Sequence, residues 1–142
     1  MGVGGKAIEF NVPKDLPGHL NFGLNDWKEA FSSADYVWYL FRSDLIAQGD
    51  SEEIRKVEDH LGLFKVWMGK GKSKPRKVIL IGTWADKDAG YLEDFGQFKR
   101  DVGAANAIKL GAIKLHHAGL VVGSLITDKD SKMLIKSLRS YL

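Results

Sequence analysis

The residues with chemistry to offer gather in three short stretches. Lys14-Asp15-Leu16-Pro17-Gly18-His19 brings a carboxylate, a tight turn and an imidazole. Thr83-Trp84-Ala85-Asp86-Lys87 brings a hydroxyl, an indole, a second carboxylate and an amine. Ser124-Leu125-Ile126-Thr127 adds two hydroxyls. A single carboxylate can accept two neighbouring N–H donors at once, as a bidentate charge-assisted pair. The same residues also have plainer readings. Asp15 ahead of Pro17-Gly18 suits an ordinary turn. Asp86 suits the N-cap of a helix beginning at Ala89, and Gly123-Ser124 suits a turn at a strand end. No stretch taken alone chooses between its readings.

Other chemistries have less to work with. The chain has no cysteine, which removes disulfides and thiolate metal sites. His19, His60, His116 and His117 do not stand at zinc-ligand spacing with partner carboxylates. The net charge of +3 is concentrated in Gly69-Lys70-Gly71-Lys72-Ser73-Lys74-Pro75-Arg76-Lys77, whose Gly, Pro and Ser mark a loop. Such a patch attracts phosphate, in nucleic acid or anionic lipid. Its lysines are not interleaved with aromatics, which argues against a nucleic-acid groove and for a solvated connection. The start, Met1 to Lys6, lacks the apolar run of a secretory signal, and no stretch is long and apolar enough to span a bilayer. A cytoplasmic location is the expectation.

The elements that must hold the three stretches follow from patterning. A length of 142 residues suits one domain, and 44% hydrophobic with 27% charged residues suits a folded rather than a disordered chain. Tyr36–Phe41 and Lys77–Gly82 are apolar at nearly every position, as strands covered on both faces are. Between them, Ile54, Val57 and Leu61 have helical spacing behind Asp50 or Ser51 as N-cap. Strand, helix, strand is a βαβ unit whose crossover should be right-handed. Further helix is predicted from Trp27 to Phe31 and from Ala89 to about Leu115, with Leu92, Phe95, Phe98 and Val102 on one face. Lys6–Val12 and Gly119–Gly123 read as strands, and Thr127–Leu142 as a closing amphipathic helix. The expected architecture is an α/β three-layer sandwich, a mostly parallel sheet with helices on both faces. In such sheets ligands sit beyond the carboxyl ends of the strands, where all three stretches fall.

In that order and context the stretches resemble the motifs of the Ras/Arf-like small GTPases. Asp15-Leu16-Pro17-Gly18-His19 resembles the switch-II DxxG in its DxPGH form. The segment from Trp27 to Asp44 resembles the Arf-like helix and strand that follow it. Thr83-x-x-Asp86 resembles the guanine-specificity motif, Asn/Thr-Lys-x-Asp, and Gly123-Ser124-Leu125 stands where the family has a Ser-Ala pair. The likeness runs from about Lys6 to Leu142 and implies GTP/GDP and Mg2+ as ligands. It implies that Asp86 accepts the ring N–H and exocyclic amine of guanine, that Thr83 ties the loop to its neighbours, and that the backbone N–H groups of Ser124 and Leu125 meet the guanine carbonyl. Trp84 replaces the family's lysine, so an indole would cover the base where an aliphatic stem does so elsewhere; Lys87 is positioned to supply the lost charge. The resemblance further implies that Asp15 acts through magnesium-bound water, Gly18 through its N–H to the γ-phosphate, and His19 as the catalytic, water-orienting residue.

One part of the family pattern has no counterpart. The Walker A loop, Gly-x-x-x-x-Gly-Lys followed by Ser or Thr, finds no match; the Gly2–Ala7 stretch has alanine where the magnesium-binding hydroxyl belongs. No switch-I threonine is identifiable either. In the family fold the P-loop strand runs beside Tyr36–Phe41, and without it that strand keeps a bare edge. The expectation is therefore a fragment, a truncated product, or a chain that recruits the strand from a partner. Three functions follow: a guanine-nucleotide-binding domain, hydrolytic only with a P-loop supplied; a pseudo-GTPase that contacts an effector or partner protein through Trp27, Trp67 and Trp84; and a basic nucleic-acid-binding module built on residues 69–77.

Overall fold

The computed structural model describes Gly2–Val3, Lys6–Ala7, residues 24–70 and residues 77–142. Two short strands, β1 (Gly2–Val3) and β2 (Lys6–Ala7), pair antiparallel. The predicted strand beyond Ala7, the Asp15–His19 motif and most of the basic loop lie outside the described residues.

The rest is an α/β fold around a parallel three-stranded sheet. Its strands are β3 (Tyr36–Arg42), β4 (Lys77–Thr83) and β5 (Gly119–Val122), in the order β3-β4-β5. The register aligns Tyr36 with Lys77 and Arg42 with Thr83, and Ile79 with Gly119 and Gly82 with Val122. All three strands therefore finish together, and their carboxyl ends form one rim.

Alternation sorts the strand side chains into two layers. Tyr39 and Phe41 of β3, Val78 and Leu80 of β4 and Val122 of β5 join the larger core. Helices α1 (Leu24–Ser33), α3 (Ser51–Lys70), α5 (Phe95–Ala104) and α6 (Asn106–Lys114) fill that side with Phe31, Val57, Leu61, Phe64, Val102 and Ile108. Ile79, Ile81 and Val121 point the other way and pack on Leu134 and Leu138 of α7 (Asp128–Arg139).

Three expectations change. The middle strand β4 is buried at every position from Val78 to Thr83, but β3 is covered on one face only: Trp38 and Leu40, on its second face, are exposed. Among the described residues β3 pairs with no strand but β4, so it stands at the edge of the described sheet. The single predicted helix from Ala89 to Leu115 is three helices, α4 (Ala89–Glu93), α5 and α6. The chain turns at Asp94, whose side chain caps α5 by accepting from Gln97 N at 3.1 Å, and this break swings Leu92 out to solvent. Helix α3 starts as expected, with Asp50 Oδ1 accepting from Glu52 N, but runs on to Lys70. No described helix is long and apolar enough to cross a membrane.

Candidate functional site

The rim at the strand carboxyl ends holds the residues that sequence patterning singled out after β4 and β5. Thr83 ends β4 with its hydroxyl donating to Phe41 O at 3.3 Å, while its own carbonyl accepts from Ser43 Oγ at 2.7 Å. Those two bonds lock the ends of β3 and β4 together. The short helix α2 (Ser43–Ala47) then leads away from β3. The chain leaves β4 through Trp84, which adopts the left-handed conformation at φ 59° and ψ 23° and opens a 3-10 turn over Ala85–Lys87. A β-carbon in this region costs roughly 1 kcal/mol or more, so the turn is held by its surroundings. Ala85 N donates to Gly123 O and Gly123 N to Gly82 O, which pin the turn to the end of β5.

The two loops meet at one side-chain hydrogen bond. Ser124, fully buried, donates its hydroxyl to Asp86 Oδ1 at 2.7 Å. The same hydroxyl oxygen accepts from Ile126 N at 3.1 Å, so its proton is directed at the carboxylate. Asp86 Oδ2 has no hydrogen-bond partner among the described residues. Asp86 is not the helix cap: Asp88 is, accepting from Gly90 N at 2.8 Å while its other oxygen accepts from Gln48 at 3.1 Å. The Gly123-Ser124 turn and the link to Asp86 thus coexist.

Trp84 is half exposed, at 50% of its surface. The Arg42 guanidinium lies 4.9 Å from its ring centroid. Arg42 is itself held by Asp44, with Nε to Oδ1 at 3.2 Å and Nη2 to Oδ2 at 2.7 Å, and Asp44 is only 3% exposed. This bond raises the already high guanidinium pKa, with Glu53 and Asp50 adding to it. Glu53, also buried, accepts from Arg42 N at 3.0 Å and pairs with Lys56 at 2.8 Å. Behind Asp86, Tyr91 donates to Asp130 at 2.8 Å; burial, and then Asp130, push its pKa up to about 12, so it stays a donor at neutral pH. Thr127 caps α7, accepting from Asp130 N at 3.1 Å.

Thr83, Trp84, Asp86, Ser124 and Leu125 are thus gathered at one rim. Lys87 is exposed and makes no ion pair among the described residues, and Leu125 projects into solvent. Asp15, Gly18 and His19 lie outside the described residues, so the phosphate end of the expected site has no geometry here. Two of the three proposed protein-contact anchors are corrected: Trp27 and Trp67 are buried, at 9% and 7% exposure, because they pack at tilted angles against His60, Phe64 and Phe31 between α1 and α3. Only Trp84 of the three is exposed.

No family model, curated protein or solved structure matches this chain.

Sequence reasoning gave Arg42 and Glu53 no role at the site and named Asp44 only as the end of the Trp27–Asp44 segment. A signal was present: the strand-end rule, applied to the segment after Phe41 as it was to the other strands, points straight to Arg42-Ser43-Asp44.

Proposed function

We propose that this chain is a Ras/Arf-like, P-loop-type nucleotide-binding domain that binds the guanine end of GTP or GDP and hydrolyses GTP only where a P-loop is supplied. The observation that carries this reading is the Ser124–Asp86 hydrogen bond, which fixes one carboxylate oxygen while the other has no partner among the described residues. An oriented carboxylate on an accessible rim suits guanine, which presents a ring N–H and an exocyclic amine side by side; adenine lacks that pair. The exposed indole of Trp84, two residues earlier, offers a stacking face for the base, and such stacking contributes about 1–3 kcal/mol. Hydrolysis would need a Walker A lysine and hydroxyl to hold phosphate and Mg2+, a motif that these 142 residues do not match.

The test is a titration with a fluorescent guanine nucleotide, with and without Mg2+, on the chain and its Asp86→Asn variant. The chain should prefer guanine to adenine compounds. The amide introduced by Asp86→Asn donates where the carboxylate accepts, so the variant should lose guanine affinity about tenfold or more. It should also gain preference for xanthine, which carries a carbonyl in place of the amine. An unchanged guanine preference in the variant would falsify the assignment of Asp86.

A further inference from the structure

We propose that Arg42 is a positioning residue for the base: gripped by Asp44, it fixes the Trp84 indole as a preformed stacking platform. This rests on the reading of the rim as a base site and adds the residues that order its stacking face. A ring stacks to full effect only if it is already in place. Ordering a free side chain on binding forfeits about two- to tenfold in affinity. Trp84 needs outside help to be ordered. It follows the last residue of β4, stands at φ 59° and keeps half of its surface exposed, so burial alone does not hold its ring.

The tripeptide Arg42-Ser43-Asp44, where β3 passes into α2, supplies that help at three points. Ser43 Oγ donates at 2.7 Å to the carbonyl of Thr83, the residue just before Trp84, and so holds the peptide that leads into the indole. The Arg42 guanidinium lies over the ring, 4.9 Å from its centroid, within the range of a cation–π contact. Asp44, 3% exposed, accepts from Nε at 3.2 Å and from Nη2 at 2.7 Å. Two parallel bonds fix the plane of a guanidinium as well as its position. Glu53 steadies the same residue through its backbone, accepting from Arg42 N at 3.0 Å. The contacts thus run from two buried carboxylates through a flat cation to the indole, and Asp86 stands two residues farther along the same turn. A lysine would match the charge of Asp44 but lacks the planar fork. The platform therefore depends on the shape of the cation as well as on its charge.

The experiment titrates GDP and ADP into the chain and its variants by calorimetry, with a thermal melt of each protein. The two ligands carry the same phosphates, so their ratio reports the base alone. Removing Arg42 by itself would leave the Asp44 carboxylate buried and unpaired, at a high cost to the fold. The variants are therefore Arg42→Lys, and Arg42→Met paired with Asp44→Asn, each made with and without Trp84→Ala. GDP affinity should fall about two- to tenfold in both, while the GDP-to-ADP ratio, set by Asp86, stays within about twofold. With Trp84→Ala present, the same substitutions should change GDP affinity by less than about twofold, because no indole is left to position. An equal loss in both backgrounds means that Arg42 acts on the fold or directly on the ligand, and overturns the proposal. Undiminished GDP affinity in either folded Arg42 variant does the same. If GDP and ADP bind alike and both weaken through Trp84, the platform stands and the assignment of Asp86 falls. Failure of both nucleotides to bind the parent chain overturns the two together.

Discussion

Trp84 carries two opposing terms within one residue. Its left-handed backbone costs roughly 1 kcal/mol for any side chain with a β-carbon, and the Arg42 guanidinium over its ring returns about 0.5–1 kcal/mol. Trp84→Gly removes both. The melting temperature should therefore move by no more than a few degrees, while guanine-nucleotide affinity should fall about tenfold through loss of the stacking face. Thermal melts and titrations on the same sample check the two halves, and a variant that melts alike and binds alike would show that the indole has no part in ligand recognition. At this scale the sequence was partly legible. Thr83 and Asp86 stood out because a hydroxyl and a carboxylate follow a buried strand at a set interval. The choice between Asp86 and Asp88 as helix cap was not legible, since both precede Ala89 by a plausible distance and only the 3-10 turn at Ala85–Lys87 hands the cap to Asp88.

The elements obeyed their patterns where packing agreed with local propensity. The run at β4 predicted two-sided burial and has it, because α7 covers one face while the larger helical layer covers the other. The similar run at β3 predicted the same and lacks it, since apolar composition reports what a strand tolerates and not which neighbours arrive. Helix α3 was underestimated because Gly62 interrupts the pattern; the helix continues through it with nothing within 4 Å of where its side chain would be. Gly111 of α6 has the opposite setting. A β-carbon there would overlap the terminal Cδ1 of Leu61, so that buried side chain of α3 must shift to admit one. Two alanine substitutions separate propensity from packing. Gly62→Ala should stabilise by up to about 1 kcal/mol through helix propensity. Gly111→Ala should destabilise by about 1–3 kcal/mol through overpacking. Urea unfolding midpoints give both signs, and a stabilising Gly111→Ala would mean that Leu61 moves aside at little cost.

At the scale of the whole molecule, the layered parallel sheet was legible from the alternation of strand-like and helical runs, but the joint between α1, α3 and β3 was not. Its parts lie far apart in sequence: Trp27, Tyr39 and His60. Tyr39 Oη and His60 Nδ1 are hydrogen-bonded at 2.5 Å, and the Trp27 ring lies 5.2 Å from the imidazole. Trp27 Nε1 and His60 Nε2 are buried without a hydrogen-bond partner among the described residues. Burial lowers the pKa of His60, with Lys56 of the same helix adding to the effect and Asp59 and Glu53 opposing it; burial likewise raises that of Tyr39, aided by Glu53. The imidazole is therefore native in its neutral form. A base whose pKa is lower folded than unfolded takes up its proton more readily on unfolding. Stability is thus complete above the unfolded value near 6.5 and declines as pH falls from there to the folded value, below which this contribution levels off. Each tenfold loss in proton affinity on folding corresponds to about 1.4 kcal/mol of that decline. The unfolding midpoint should drop between pH 7 and pH 5, before most carboxylates titrate. His60→Phe, which keeps an aromatic ring between Trp27 and Tyr39 but carries no titrating nitrogen, should flatten that slope even if its stability at pH 7 is lower. A slope equally steep in the variant would assign the acid sensitivity to groups other than this joint.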